Sequence, residues 1–287
     1  MTIASVGDLA NSWDNNRIYR SHWHKTASPV VSGSGFWLDL SMAAGTPKYN
    51  PYVGNALEFT PLVGVSNNGI NSGAGGDSYI VRYNLGGGGQ GSGIWPANTM
   101  LLDYVGFYPL VDMDSTDVQV FDNTTYASRY ASGLRLMVVT TIPQTAATPT
   151  QVVLTYTGSN NLQTVVSCWV NAMNVAGNVN VFSSRVASTS GYAAPFVPLG
   201  VGTTDIKQVD SLEVLSSSGG FCALVLVKPI LEAVVYDTLT PYEVEFPRNK
   251  VPPFVPSGAY LNHIVCPMNN GTASGASRGH IAFAREG

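Results

Sequence analysis

Two long stretches of this chain climb through mostly apolar residues to a single proline. MLLDYVGFYPLVDM, residues 100–113, is the first, and FCALVLVKPIL, residues 221–231, is the second. The first, rich in apolar and aromatic residues, predicts a long buried strand. Proline cannot donate to a ladder, so Pro109 is expected at a sheet edge or a bulge. Elsewhere the pattern alternates. FWLDLSM from Phe36 and YIVRYNL from Tyr79 read as half-buried strands. RLMVVTTI and QVVLTYT, joined by PQTAATPT, read as a hairpin. AGTPKYNPY from Ala44 holds two prolines and a glycine and marks a turn. GGGGQGSG from Gly86 reads as a surface loop, because glycine loses the most entropy on ordering. Beyond residue 158, VVSCWVNAM, NVNVFSSRV, FVPLGV, SLEVLSSS, VVYD, YEVEF, YLNHIVC and HIAFA continue the strand pattern. Turn signals recur at roughly the 8–12-residue spacing of β-sandwiches. Helical signal is confined to the N-terminus. Ser5 followed by Asp8 is a capping box, and Val6, Leu9 and Trp13 share one face, which predicts a short helix within residues 5–19.

The two long strands belong to a wider internal likeness. Pro109 matches Pro229 at an offset of 120, and Phe121 matches Phe246 at 125. FTPLVGV at 59–65 matches FVPLGVG at 196–202, an offset of 137. SGLRLMVV from Ser132 resembles SGAYLNHIV from Ser257, and QVVLTY from Gln151 resembles GHIAFA from Gly279. Order is kept while the offset drifts, as it does when loops change length after a duplication. The expectation is an all-β chain: an N-terminal arm over 1–28, then two tandem jelly-roll-like β-sandwich domains over 29–157 and 158–287.

Composition narrows the function. Hydrophobic residues make up 45% and charged residues 11%, against about 25% charged in typical soluble domains. A surface so poor in charge is expected to be covered by partners. The net charge is −4 and the 14 Lys+Arg are scattered, which argues against direct nucleic-acid binding. No apolar run approaches the ~20 residues of a membrane span, and no secretory signal is visible. Cys168, Cys222 and Cys266 are far apart and form no C-x-x-C, so buried free thiols are expected in place of a disulfide framework or zinc knuckle.

Candidate chemistry is thin. His22-Trp23-His24 puts two imidazoles on one face of a strand, a metal-like pair. Further ligands would have to come from distant His263 or His280, so the favoured reading is a strand start with Trp23 in a core or interface. Asp112, Asp114 and Asp117 have calcium-like spacing but lack the EF-hand glycine and distal glutamate; a connecting loop is favoured. Glu213, Glu232, Glu243, Glu245 and Asp103 supply carboxylates, yet no spacing singles out the facing pair that glycoside cleavage needs. SSSGG at 216–220 is not a nucleophile elbow, and the glycine-rich loop lacks a P-loop ending. Trp37, Trp95, Tyr49 and Tyr52, if exposed, suit sugar stacking or interface anchoring. No catalytic, cofactor or metal residue is assigned, and the chain is read as a non-enzyme. The candidate interface and arm residues are Trp13, Trp23, Trp37 and Trp95.

Several stretches resemble a family of tailed-bacteriophage virion structural proteins. They are SHWHK from Ser21, FWLDLSMAAGTPKYNPY from Phe36, LLDYVGFYPLVDMDSTDVQVFDNT from Leu101, DIKQVDSLEVLSSSGGFCALVLVKPI from Asp205, and PSGAYL from Pro256. Together they span most of the chain. The resemblance implies a virion component and carries no catalytic residue with it; the expected location is the capsid surface, after synthesis in the host cytoplasm. The expected role is a head decoration or cement protein. Its expected partners are the major capsid protein and copies of itself, with a trimer suited to threefold positions. The alternative is a tail or surface adhesin that binds host glycan.

Overall fold

The computed structural model describes residues 5–26, 35–47, 52, 77–88, 96–123, 128–145, 149–170, 176–179, 181–182, 194–236, 241–245, 251–268 and 276–285. Helix α1 (Val6–Asp14) comes first. The Ser5 side chain accepts from the Asp8 N–H, and the Asp8 carboxylate accepts from the Ser5 N–H, which is the capping box read from the sequence. The helix stops at Asn15, short of residue 19. Asn16 then turns the chain with a φ of 55°.

Strands follow. In the first part of the chain they are β1 (Ile18–Lys25), β2 (Trp37–Asp39), β3 (Gly45–Thr46), β4 (Ser78–Gly88), β5 (Ala97–Asp112), β6 (Gln119–Val120), β7 (Arg135–Ile142) and β8 (Thr150–Thr157). Then come β9 (Gln163–Val170), β10 (Asn178–Val179), β11 (Val181–Phe182), β12 (Gln208–Val214) and β13 (Phe221–Val235). The last are β14 (Tyr242–Glu245), β15 (Phe254–Val255), β16 (Leu261–Pro267) and β17 (Ala276–Arg285). A 3-10 turn, Leu40–Met42, follows β2.

The architecture is all-β and sandwich-like. A barrel closes in the order β10-β2-β16-β5-β13-β7. Sheet A runs β14-β4-β17-β1-β3, with β15 also beside β4, and sheet C runs β11-β9-β8-β12-β6. In the barrel order β16 and β7 lie opposite each other. Sheet A packs on the β16 side, burying Trp23, Ile80, Leu85, Ile281 and Phe283 against Leu38, Leu101, Leu261 and Val265. Sheet C packs on the β7 side, burying Val152, Leu154, Val170, Leu212 and Val214 against Val111, Leu136, Val138 and Leu224. The barrel interior is a third core, holding Trp37, Tyr104, Phe107, Met137, Val225 and Ile264.

This arrangement explains the long, mostly apolar runs. In β5, Ala97 and Leu101 face sheet A, Leu102 and Phe107 face the barrel interior, and Tyr108 and Val111 face sheet C. β13 does the same in the opposite direction. A strand covered on both faces has no polar side to alternate with. Pro109 sits where the sequence puts it, at a bulge. Leu224 opposes Tyr108 and Cys222 opposes Val111, so Pro109 and Leu110 share one partner position. Another of the register shifts in this pair, between Pro229 and Leu231, marks the proline of β13. Leu110 carries the cost, with a φ of 57° and 59% exposure. Left-handed backbone costs a leucine roughly 1 kcal/mol relative to glycine, and little burial would be lost. Leu110→Gly is therefore expected to stabilise by up to about 1 kcal/mol, read as a rise in the urea midpoint.

Four expectations are corrected. The break at 157/158 falls in the connection between β8 and β9, which pair from Thr157–Gln163 to Thr150–Val170. All three sheets take strands from both sides of it. The halves are interleaved, not tandem, and β5 and β13 are direct neighbours. Residues 18–25 are no arm, because β1 is zipped into sheet A between β17 and β3. β7 and β8 form no hairpin: β7 pairs with β13 and β10 in the barrel, and β8 with β9 and β12 in sheet C. Finally, Gly86 and Gly87 are strand interior, paired with Arg278 and Ser277 of β17. The ladder to β17 outweighs their entropic cost. Trp95, Tyr49 and the rest of the glycine-rich loop lie outside the described residues.

Candidate interaction surfaces

Strand β1 alternates strictly. Ser21, Trp23 and Lys25 are buried, while Arg20, His22 and His24 are exposed. Register then builds the outer face of sheet A row by row. His22 opposes His280, whose ring centroid lies 5.8 Å away, and His280 in turn opposes Asn84. Arg20 opposes Ala282, which opposes Arg82. The Arg82 guanidinium pairs with Glu243 and lies 3.8 Å from Glu245, both on β14. Burial, followed by the Arg82 charge, pushes His280 below the ordinary histidine range, which favours the neutral ring.

Helix α1 lies across one end of this face. Leu9 packs with Ile18 and Tyr79 on Val81, Ala282 and Ala284. Trp13, on the last turn, is left 62% exposed. Between helix and sheet is a groove of about 360 Å³, with Leu9, Trp13, Ile18 and Val81 among its apolar walls and Arg20, Arg82 and Glu245 as its charged members.

The outer face of sheet C is different in kind. Val165, Thr155, Ser211 and Val120 form one row across four strands. Val165 is 62% and Val120 78% exposed. Ser167, Val153 and Glu213 form the next row. The strands of sheet C contain no Lys, Arg or His; their charges are Asp210 and Glu213. Asp210 accepts from Thr157, Gln163 and Gln208.

The four predicted tryptophans separate. Trp13 is at the surface. Trp23 and Trp37 are core side chains: the core is one of the two places expected of Trp23, and it removes both from the candidate interface residues. Trp23 is stacked on Tyr83 with centroids 5.7 Å apart, lies 4.6 Å from the His263 ring, and its Nε1 donates to Ser277 at 3.4 Å. Trp37 fills the barrel interior. Tyr52, proposed as a sugar platform, is buried there too. The indole of Trp23 lies over Gly279, where an added Cβ would meet Trp23 Cη2 at 2.4 Å and the Asn84 carbonyl oxygen at 2.0 Å. Gly279→Ala is expected to destabilise by about 2–3 kcal/mol through overpacking, seen as a lower melting temperature.

The aspartate run is a turn. The Asp112 carboxylate accepts from the Asp114 N–H, Ser115 Oγ from the Asp117 N–H, and Gln119 clasps the Asp112 backbone from both sides. Among the described residues no three His, Cys, Asp or Glu side chains converge as a metal set. The surveyed carboxylates scatter: Glu213 is on sheet C, Glu243 and Glu245 are on sheet A, and Asp103 is buried. Glu232 and Glu243 share a groove of about 440 Å³ with Tyr236, Pro241 and Tyr242. The three cysteines are free and buried. Desolvation pushes Cys168 and Cys222 up to about 12 and Cys266 to about 11, which keeps them as inert thiols.

Sequence reasoning missed the buried polar clusters. Asp103, fully buried, accepts from Arg129 Nε at 2.8 Å and Nη2 at 2.6 Å, from Tyr130 at 2.8 Å, and from the Tyr260 N–H at 2.8 Å. Asp39 accepts from Tyr52, from Tyr104 at 2.7 Å, and from the Ser41 hydroxyl and N–H. Desolvation nevertheless raises its pKa. Lys25, also buried, donates to the Ala43 and Pro47 carbonyls, and burial lowers it to about 8. His263 meets Tyr83 through Nε2 at 2.9 Å, and desolvation, helped by the Lys25 charge, lowers it to about 3. The signal was present as single polar residues inside apolar runs, FWLDL, LLDYV and YLNHIV. These groups hold the sheets together and are closed to substrate. No protein-family model, curated protein or solved structure matches the chain. No helix among the described residues is long and apolar enough to cross a membrane.

Proposed function

We propose that the chain is a structural component of a bacteriophage particle, a decoration or cement protein that binds the head shell and stabilises it. The observation that carries this reading is the pair of broad outer faces on opposite sides of one barrel. Each has exposed anchors, Trp13 of helix α1 beside sheet A and the Val165–Val120 row on sheet C. A protein with two such faces acts by bridging neighbours, and repetition over a shell adds avidity without new contacts. Its partners are the major capsid protein and copies of itself. A mass-spectrometric inventory of purified particles tests the reading; particles without this chain end it.

The fold reading that accompanies it is an interleaved duplication of jelly-roll type. β1, β2, β3, β4, β5, β6, β7 and β8 answer in order to β9, β10, β11, β12, β13, β14, β16 and β17. Under that correspondence the order β3-β1-β17-β4-β14 becomes β11-β9-β8-β12-β6, and the barrel order maps onto itself. Each copy lends two matched strands to the other's outer sheet, and β15, which has no counterpart, adds a third to sheet A. Two units locked in this way cannot slide apart without breaking ladders, which suits a clamp.

One observation favours the second reading, a glycan-binding adhesin. The groove holding Glu232 and Glu243 also holds Tyr242 and Tyr236, the latter 78% exposed. Aromatic faces beside carboxylates suit sugar rings and hydroxyls. Glycan-array binding abolished by Tyr236→Ala supports that reading; labelling confined to phage heads removes it.

A further inference from the structure

The two outer faces differ in charge as well as in shape. The strands of sheet A carry Arg20, Arg82, Arg278 and Arg285, three histidines, buried Lys25, and two glutamates. Those of sheet C carry two acids and no cation at all. This polarity exists on a chain with a net charge of −4. Arg82 is occupied by Glu243. Arg20 and Arg278 are exposed, and no ion pair among the described residues engages them. Arg20 also lines the groove beside Trp13. On sheet C, Glu213 stands next to the uncharged Val165–Thr155–Ser211–Val120 row.

We propose that the sheet A face of one copy docks on the sheet C face of the next, so that this chain assembles head to tail. Charge complementarity selects the occupant. A face holding Arg20 and Arg278 and an exposed tryptophan meets a face whose strands are rich in β-branched residues and carry no cation. Two A faces would bring arginines together, and two C faces would leave the arginines of both copies unanswered. Tryptophan and arginine are the side chains that most often dominate interface energy, and charge sign sets the orientation. Because the contact joins different faces, it is heterologous and propagates into a ring or a row. The inference rests on the reading of the chain as a repeated shell component for its setting, but the contact itself belongs to the protein alone.

The experiment is sedimentation velocity on the purified full chain across concentration and salt. Wild type is expected to grow past the dimer as concentration rises and to fall back at high salt. Trp13→Ala with Arg20→Ala disables face A, and Val165→Arg disables face C. All three positions are exposed, so folding is expected to survive, and each protein alone is expected to self-associate about 30-fold more weakly. Mixed together they are expected to form 1:1 pairs and nothing longer, since one intact A face then meets one intact C face. A wild type that stays monomeric throughout overturns the proposal. So does an assembly sensitive to only one of the two variants, which would mean like faces meeting. Loss of the chain from particles with head-to-tail growth intact would instead remove the virion reading and leave this contact standing.

Discussion

Arg129→Ala is expected to cost the folded protein about 3–5 kcal/mol, the usual penalty for breaking a buried ion pair from one side. Asp103 is the reason. Its side chain is fully buried in the middle of β5, and Arg129 grips both of its oxygens while also donating to the Tyr104 carbonyl at 2.8 Å. Without the guanidinium, the carboxylate keeps Tyr130 and the Tyr260 N–H but loses its counter-charge. Tyr130 cannot replace that counter-charge, because a phenol has no cationic form. Burial and the Asp103 charge push its phenol far above the ordinary range, so it stays a neutral donor. Arg129→Lys should recover only part of the loss, because one ammonium does not reproduce a planar fork. Urea unfolding of the three proteins decides the matter. The expected result is a large drop in midpoint with an unchanged slope, and a loss under about 1 kcal/mol would mean that water reaches Asp103.

The second large effect is acid sensitivity from His263. An unfolded histidine takes up its proton near pH 6.5, whereas the folded ring, lowered to about 3, does so only in strong acid. Between those values the unfolded chain binds more protons, so stability is complete above about pH 6.5 and falls as the pH drops towards 3. A shift of this size corresponds to roughly 4–5 kcal/mol over the window. Asp39, whose carboxyl is raised by burial, works in the opposite direction over part of the same range, so the comparison must be with a variant. His263→Phe keeps a ring against Trp23 but cannot titrate. It is expected to lose about 1–2 kcal/mol at neutral pH, because Tyr83 loses its partner, and to show a much flatter acid limb. Parallel limbs for variant and wild type would sink the argument.

Both predictions concern polar residues that interrupt apolar strands. Such residues are visible in the sequence, but their partners are not. Arg129 lies 26 residues from Asp103, and Tyr83 lies 180 from His263. Only the closing of the barrel and the packing of sheet A bring them together. The tryptophans make the same point. Trp13 and Trp23 are equally apolar in the sequence. One ends a helix at the surface, and the other falls on the inward side of an alternating strand opposite Gly279. The groove of Glu232 and Tyr236 was likewise beyond sequence reasoning, because it forms where β13 passes β14.

What the sequence determined by itself was local. The Ser5–Asp8 cap starts α1, Pro109 bends β5 at a bulge, alternation orients β1, and long, mostly apolar runs mark strands covered twice. Each of these depends on residues a few positions apart, where backbone sterics and side-chain period act directly. The tertiary structure decided which strands pair, and so turned two expected tandem domains into interleaved halves sharing one barrel. The reason is that ladder hydrogen bonds are nearly the same between any two strands. The choice of partner rests on burial summed over the whole fold, which no short stretch of the chain contains.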